Sequence, residues 1–111
     1  MDITFKNKKL EKLLSREKEI LKKYGSDNGR RIQKKMTQLA AASNLAGLSK
    51  LPATRLHPLL GDKKGKLSLD VKHPDRMLIE PDHPQLPLKE DGGLDWAKVT
   101  KVKILEITDT H

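Results

Sequence analysis

The stretch KLSLDVKHPDRMLIE, residues 66–80, contains two strand-like segments on either side of a short polar turn. In the first segment Leu67, Leu69 and Val71 alternate with polar residues, a pattern typical of a strand with one buried face. The turn HPDR leads into the second segment, RMLIE, and its proline and aspartate are common turn formers. We therefore predict an antiparallel hairpin over residues 66–80.

The residues before this hairpin have a helical period instead. Residues 3–6, ITFK, predict a short strand, and the apolar residues of 8–24 form a stripe about 120° wide on a helix. Gly25 then predicts a helix end, and Ser26 or Asp27 caps a second helix. In that second helix the residues expected on the buried face are Ile32, Met36, Leu39 and Ala40.

After the hairpin the chain returns once more to a strand pattern. Residues 101–107, KVKILEI, predict a third strand of this series, whereas residues 80–98 are rich in proline and glycine and predict a long loop. Trp96 is expected to anchor this loop on the core. The element order predicts one α+β domain over residues 1–111, with an N-terminal strand and two helices packed on a small antiparallel-rich sheet.

The amino-acid composition excludes several kinds of site and indicates the kind of partner that the protein binds. The 111 residues include no cysteine, which excludes disulfides, thiol catalysis and cysteine-based zinc sites. No apolar run or signal-peptide pattern is present, so we expect a cytoplasmic protein that does not bind a membrane. The net charge is +8, with the basic excess confined to residues 1–79, and this predicts a polyanionic partner such as nucleic acid.

Four residues near the predicted sheet have the chemistry that a metal-independent ribonuclease needs. His57 precedes the hairpin, Arg76 lies on its second strand, and Asp109 and His111 follow the last strand. Histidine exchanges protons near neutral pH, and the planar guanidinium of arginine matches phosphate oxygens. If the last strand continues far enough, the spacing of Asp109 and His111 places both side chains on one side. Neither a metal nor another cofactor is expected.

Two basic groups are candidates for phosphate contacts. The first lies on the predicted outer face of the second helix, and the second lies in the turn GDKKGK, where solvent exposure alone is the simpler interpretation. His73 and His83 have no compact metal-binding spacing. The candidate phosphate-binding residues are Arg30, Arg31, Lys34, Lys35, Lys63, Lys64 and Lys66.

The segments RLHPLLGDKKGKLSLDV, DRMLIE and ILEITDTH together resemble the RelE/ParE toxin superfamily, and its HigB branch in particular. That branch has an LHPLKGDRKG hairpin, a basic WR strand and a C-terminal DYH. The resemblance follows the same element order over nearly the whole chain. It implies a RelE-like fold and a toxin that cuts messenger RNA on the ribosome.

The resemblance also implies roles and partners. His57 matches the hairpin histidine, Arg76 the strand arginine, and Asp109 and His111 the first and third residues of the terminal triplet. The implied partner is a HigA-like helix-turn-helix antitoxin, and operator DNA is bound only through the complex with that antitoxin. This chain departs from the pattern at Thr110, where the branch has tyrosine, and at Asp75, where it has tryptophan.

A second interpretation has the same fold but no nuclease activity. It is a non-catalytic or gyrase-directed protein that acts with its antitoxin in a repressor complex. The missing tyrosine favours this interpretation, and the histidines oppose it. A basic nucleic-acid-binding domain without a toxin role is a third interpretation, which the acidic last third of the chain disfavours.

Overall fold

The structure, a computed structural model, describes residues 1–63 and 65–109. Its main elements are, in order, β1 (Asp2–Phe5), α1 (Lys8–Leu14), α2 (Glu17–Ala41), α3 (Leu45–Ser49), β2 (His57–Pro58), β3 (Leu67–Asp70), β4 (Asp75–Pro81) and β5 (Lys101–Asp109). Short 3₁₀ turns occupy Gly61–Lys63 and Trp96–Lys98. The predicted α+β element order is confirmed.

The five strands form one sheet in the order β1-β5-β4-β3-β2. The predicted hairpin is β3 and β4, which pair antiparallel from Leu67↔Ile79 to Asp70↔Arg76. β4 pairs antiparallel with β5, and only β1 pairs in parallel, also with β5. The last strand therefore lies inside the sheet, between the first strand and the hairpin.

One continuous helix over residues 8–24 was predicted, and this is wrong, because the helix is interrupted after α1. Ser15 caps α1, and the backbone of Arg16 is extended (φ −124°, ψ 118°) before α2 begins. The Ser15 hydroxyl donates to the carbonyl of Glu11. Serine competes for backbone groups in this way, which makes it a poor helix-interior residue.

The predicted helix end at Gly25 is confirmed as a sharp turn within α2. Its backbone there has φ 82° and ψ 170°, so α2 consists of two helical segments, 17–24 and 26–41. Glycine adopts this conformation without the penalty that a side chain would add. Among the described residues, no helix is both long and apolar enough to cross a membrane.

The hydrophobic core lies between the helices and one face of the sheet. The helices contribute Ile20, Ile32 and Leu39, and the hairpin contributes residues that alternate along each strand, as predicted. The buried hairpin residues in the core are Leu67, Leu69, Val71, Met77 and Ile79. We call the opposite side of the sheet the open face.

The predicted long loop connects β4 to β5. It contains a short hairpin closed by the bridge Leu88↔Leu94, and Trp96 packs against the core as predicted. β4 reaches the loop at Pro81, five residues from Arg76, which is about 17 Å along a strand. The loop thus starts at the end of the sheet that is remote from Arg76.

Candidate functional site

Strand pairing arranges the polar residues of the open face in three rows. Paired residues on neighbouring strands project to the same side. The first row contains Asp70, Arg76 and Thr108, the second contains His57, Ser68, Leu78 and Glu106, and the third contains Glu80, Lys103 and Thr4. His57 and Arg76 therefore lie on the same face, in neighbouring rows.

The middle row combines an exposed imidazole with a buried hydroxyl. His57 is exposed on the edge strand β2 and pairs with Ser68, which is 0% exposed. Leu78 pairs with Ser68 from the other side and is also buried. The Ser68 hydroxyl has no hydrogen-bond partner among the described residues, which is unusual for a buried polar group.

In the first row, the carboxylate of Asp70 contacts two arginines, one from the row itself and one from the segment before β2. Asp70 contacts the Nε of Arg55 at 3.1 Å and the Nε of Arg76 at 3.7 Å. We call these three residues the Arg55–Asp70–Arg76 cluster. Both contacts are made through Nε of the arginine. The carboxylate lies between the two guanidiniums and reduces the local positive charge.

Arg55 is held in place by a strained segment, residues 53–55. Ala53 and Arg55 have left-handed backbones, with φ values of 66° and 45°. Each such residue costs about 1–2 kcal/mol. Buried Thr54 between them donates its hydroxyl to the carbonyl of Leu51 at 2.9 Å, and its own carbonyl accepts from the N–H of Asp70 at 3.2 Å. These contacts fix the direction in which Arg55 leaves the chain.

Lys35 also holds this segment, and its prediction as an outer-face residue is wrong. The residue is only 5% exposed, and its ammonium donates to the carbonyl of Ala53 at 2.7 Å. It follows Asn28 and Ile32 on the buried side of α2, where a long side chain can carry its charge to a carbonyl at the edge of the core. Burial, with a further contribution from Lys34, lowers the pKa of the Lys35 ammonium.

The lowered pKa of Lys35 predicts a pH dependence of stability. Between this pKa and the ordinary lysine value of 10.5, the unfolded chain binds more protons than the folded chain, so the free energy of unfolding rises with pH. The neutral amine can still donate to Ala53. We expect urea unfolding to show the wild type gaining stability over Lys35→Met as the pH rises towards 10.5.

An exposed lysine elsewhere on α2 provides the control for that measurement. Lys22 is exposed and is not among the groups that shift the pKa of Lys35, so Lys22→Met should give a pH profile parallel to that of the wild type. At neutral pH, Lys35→Met should lower the free energy of unfolding by about 1 kcal/mol, because the Ala53 carbonyl loses its donor. Parallel profiles for Lys35→Met and the wild type would contradict the assignment.

The third row opens into a basic cleft of about 240 Å³. Lys63 and Lys66, both predicted for phosphate contacts, line it together with Lys6, Lys103 and two glutamates. The glutamates are Glu80 and Glu106, so this end of the open face carries acids as well as bases. Lys64 lies outside the described residues.

The basic residues of α2 do not line this cleft. Arg31 and Lys34 line a separate cleft of about 480 Å³, whereas Arg30 is exposed and does not line it. Asp27 contacts Arg31 at 3.1 Å and Lys72 at 3.3 Å. Hydrogen bonds from those two side chains lower the pKa of the Asp27 carboxyl.

Asp109 projects to the other side of the sheet from Arg76. A bulge between β4 and β5 leaves Leu105 without a partner, since Ile79 pairs with Ile104 and Leu78 with Glu106. One extra residue reverses the alternation beyond it. Asp109 consequently pairs with Asp75 on the core side, while Arg76 is on the open face. Thr110 and His111 lie outside the described residues.

Several polar residues of this surface were missed from the sequence alone. They are Arg55, Ser68, Asp70, Glu80, Lys103 and Glu106. One signal was present, because Asp70 and Arg76 have opposite charges and flank the hairpin turn. Among the described residues, no group of three His, Asp or Glu side chains is placed to hold a metal ion.

Comparison with known proteins adds information about the fold. No protein-family model matches the sequence, and no curated protein is significantly similar to it. Among solved structures, a YoeB/ParE toxin from Agrobacterium tumefaciens matches with a TM-score of 0.58. The match covers 100% of both chains at 9% sequence identity. The RelE/ParE-like α+β fold is thereby confirmed.

Proposed function

We propose that this protein is the toxin of a type II toxin–antitoxin pair and acts as a ribosome-dependent messenger RNA endoribonuclease of the HigB type. The observation that carries the proposal is the fold, which over its whole length is similar to that of a YoeB/ParE toxin. An open face with an exposed histidine, an arginine and several lysines supports it.

The proposed reaction is attack of a ribose 2′-hydroxyl on the adjacent phosphorus, with release of the 5′-oxygen. His57 and His111 are the proposed proton acceptor and donor, because imidazole can do either near neutral pH. Arg76 stabilises negative charge on the phosphorus oxygens as it develops. Asp109 is proposed to orient the terminal histidine, from the core side of the sheet.

The basic surfaces are proposed to hold phosphates of messenger and ribosomal RNA. Lys63 and Lys66 do so on the open face, together with Lys64 from the same turn, while Arg30, Arg31 and Lys34 do so on α2. Contacts to phosphates position an RNA without selecting its sequence. Lys35 is omitted from this group because its ammonium is bound to Ala53.

The proposed partner that silences the toxin is a HigA-like helix-turn-helix antitoxin. The toxin then reaches operator DNA only through that complex. Because the proposed target is the translating ribosome, we expect the activity in the cytoplasm.

The test is expression of the chain from a tightly repressed promoter in bacteria that lack an antitoxin. Induction should arrest growth, and mapping of RNA 5′ ends should reveal new cuts within translated codons. Adding purified protein to ribosomes translating a defined message should reproduce those cuts. Continued growth with an unchanged map of RNA ends would contradict the proposal.

One observation favours the second candidate, a gyrase-directed or non-catalytic toxin of the same fold. The carboxylate of Asp70 lies 3.7 Å from the Nε of Arg76 and offsets its charge, and Asp109 projects to the opposite side of the sheet. For this candidate, induction should arrest growth without new RNA ends. Gyrase trapped on cleaved DNA would then identify the target.

A further inference from the structure

We propose that Arg55 and Lys34 form a second phosphate-binding site for the RNA strand, in the cleft between α2 and segment 53–55. This inference rests on the proposed function, because it assigns a new contact to the same substrate. It places the strand around the edge of the sheet and not only on the open face.

The cleft has the size and charge for a phosphate group with its sugar. Its volume is about 480 Å³, and Arg31, Lys34, Lys35 and Arg55 line it with Asp70 as the only acid among the described lining residues. A concave surface lined by charges of one sign concentrates counter-ions of the other sign. The expected ligand class is therefore a phosphate anion.

Two of these cations are accessible to an incoming phosphate. The Arg55 side chain is 68% exposed even though its Nε contacts Asp70 at 3.1 Å. Lys34 is exposed and forms no salt bridge with the described residues. Lys35 and Arg31 are less available, because the first binds Ala53 and the second binds Asp27.

Asp70 joins this cleft to the proposed reaction centre. Its carboxylate contacts Arg55 on one side and Arg76 on the other. The two guanidiniums consequently lie next to each other in adjacent parts of the surface, where they can contact neighbouring phosphates of one strand. Asp70 would act as a positioning residue that keeps both forks oriented.

The backbone of segment 53–55 supports a functional role for Arg55. Two non-glycine residues with left-handed backbones lie within three positions, and contacts from Lys35, Thr54 and Asp70 hold them there. Strain of this kind occurs preferentially at functional sites. A fixed arginine loses less freedom on binding a phosphate than a mobile one.

The inference is tested by binding of a fluorescein-labelled 2′-O-methyl RNA of about ten nucleotides, which cannot undergo cleavage. Arg55→Gln should weaken binding about tenfold, as expected for a lost charge-assisted hydrogen bond. The slope of log affinity against log salt should also fall by about 0.7, the value for one contact to a single strand. Lys34→Gln should weaken binding in the same direction.

Lys22→Gln is the matched control, because Lys22 is exposed on the same helix, lies outside the cleft and has no proposed phosphate contact. Equal losses for Lys22→Gln and Arg55→Gln would overturn the inference in favour of diffuse attraction. Lys34→Gln keeps the test valid if Arg55→Gln fails to fold. A wild type that cuts RNA while both cleft variants bind normally would overturn only this inference, not the proposed nuclease.

Discussion

Arg76→Ala is expected to lower the rate of RNA cleavage by about 100- to 1,000-fold, the usual cost of removing one group that stabilises a charged transition state. Growth arrest on induction should disappear with it. The guanidinium faces the open side of the sheet next to the His57 row, and no other arginine lies on the described strands. Cleavage of a defined message by translating ribosomes measures the loss directly.

Two further variants separate chemistry from stability. Arg76→Lys keeps the charge and loses the planar fork, so it should recover only part of the activity. Lys22→Ala removes an exposed cation from α2 that has no proposed phosphate contact, and it should leave the cleavage rate within severalfold of the wild type. Full toxicity of a well-folded Arg76→Ala variant would remove Arg76 from the proposed site.

Asn28→Ala should lower the free energy of unfolding by about 2–3 kcal/mol, because two partly buried hydrogen bonds, one of them to a carboxylate, are lost. The Asn28 amide donates to Asp75 at 3.1 Å, and its carbonyl accepts from the N–H of Lys72 at 3.0 Å. One side chain of α2 therefore fixes the turn between β3 and β4. Urea unfolding monitored by circular dichroism measures the change.

Asn7→Ala is a suitable comparison for this variant. Asn7 also accepts from a backbone N–H, that of Leu10 at 2.8 Å, but it does so in solvent at the start of α1. Loss of a helix cap of this type costs about 1 kcal/mol. Similar losses for Asn7→Ala and Asn28→Ala would show that Asn28 does not hold the hairpin turn.

Most of the fold follows from local sequence patterns. Alternation in residues 66–80 predicts the hairpin, and Gly25 predicts the turn within α2, because both depend on neighbouring residues alone. The parallel pairing of β1 with β5 could not be predicted in this way. It joins Asp2 to Lys101 across nearly the whole chain, and no local pattern specifies that contact.

The buried side of α2 was predicted from residue type, although the spacing of the residues along the helix would have been the better guide. Asn28, Ile32, Lys35 and Leu39 are spaced by three or four residues and are all buried. The spacing alone indicates one helix face. Polarity argued for exposing Lys35, but its hydrogen bond to Ala53 satisfies the ammonium. Asn28 on the same face is satisfied by hydrogen bonds to the hairpin turn.

The candidate site was predicted less completely than the fold. His57 and Arg76 do share the open face, as the hairpin pattern implies. Asp109 does not lie on the open face, because the bulge at Leu105 reverses the alternation of side chains. The local sequence KVKILEI contains no pattern that predicts a bulge. The ion pairs of Asp70 depend on the unusual backbone at Arg55, which local sequence does not reveal.

The position of β5 has a consequence for the order in which the sheet forms. β5 is translated after the four other described strands, yet it separates β1 from the rest of the sheet. A nascent chain that lacks residues 101–109 leaves β1 without its partner and β4 with an unpaired edge. Because contacts this distant in sequence form slowly, completion of the sheet is expected to be a late step in folding.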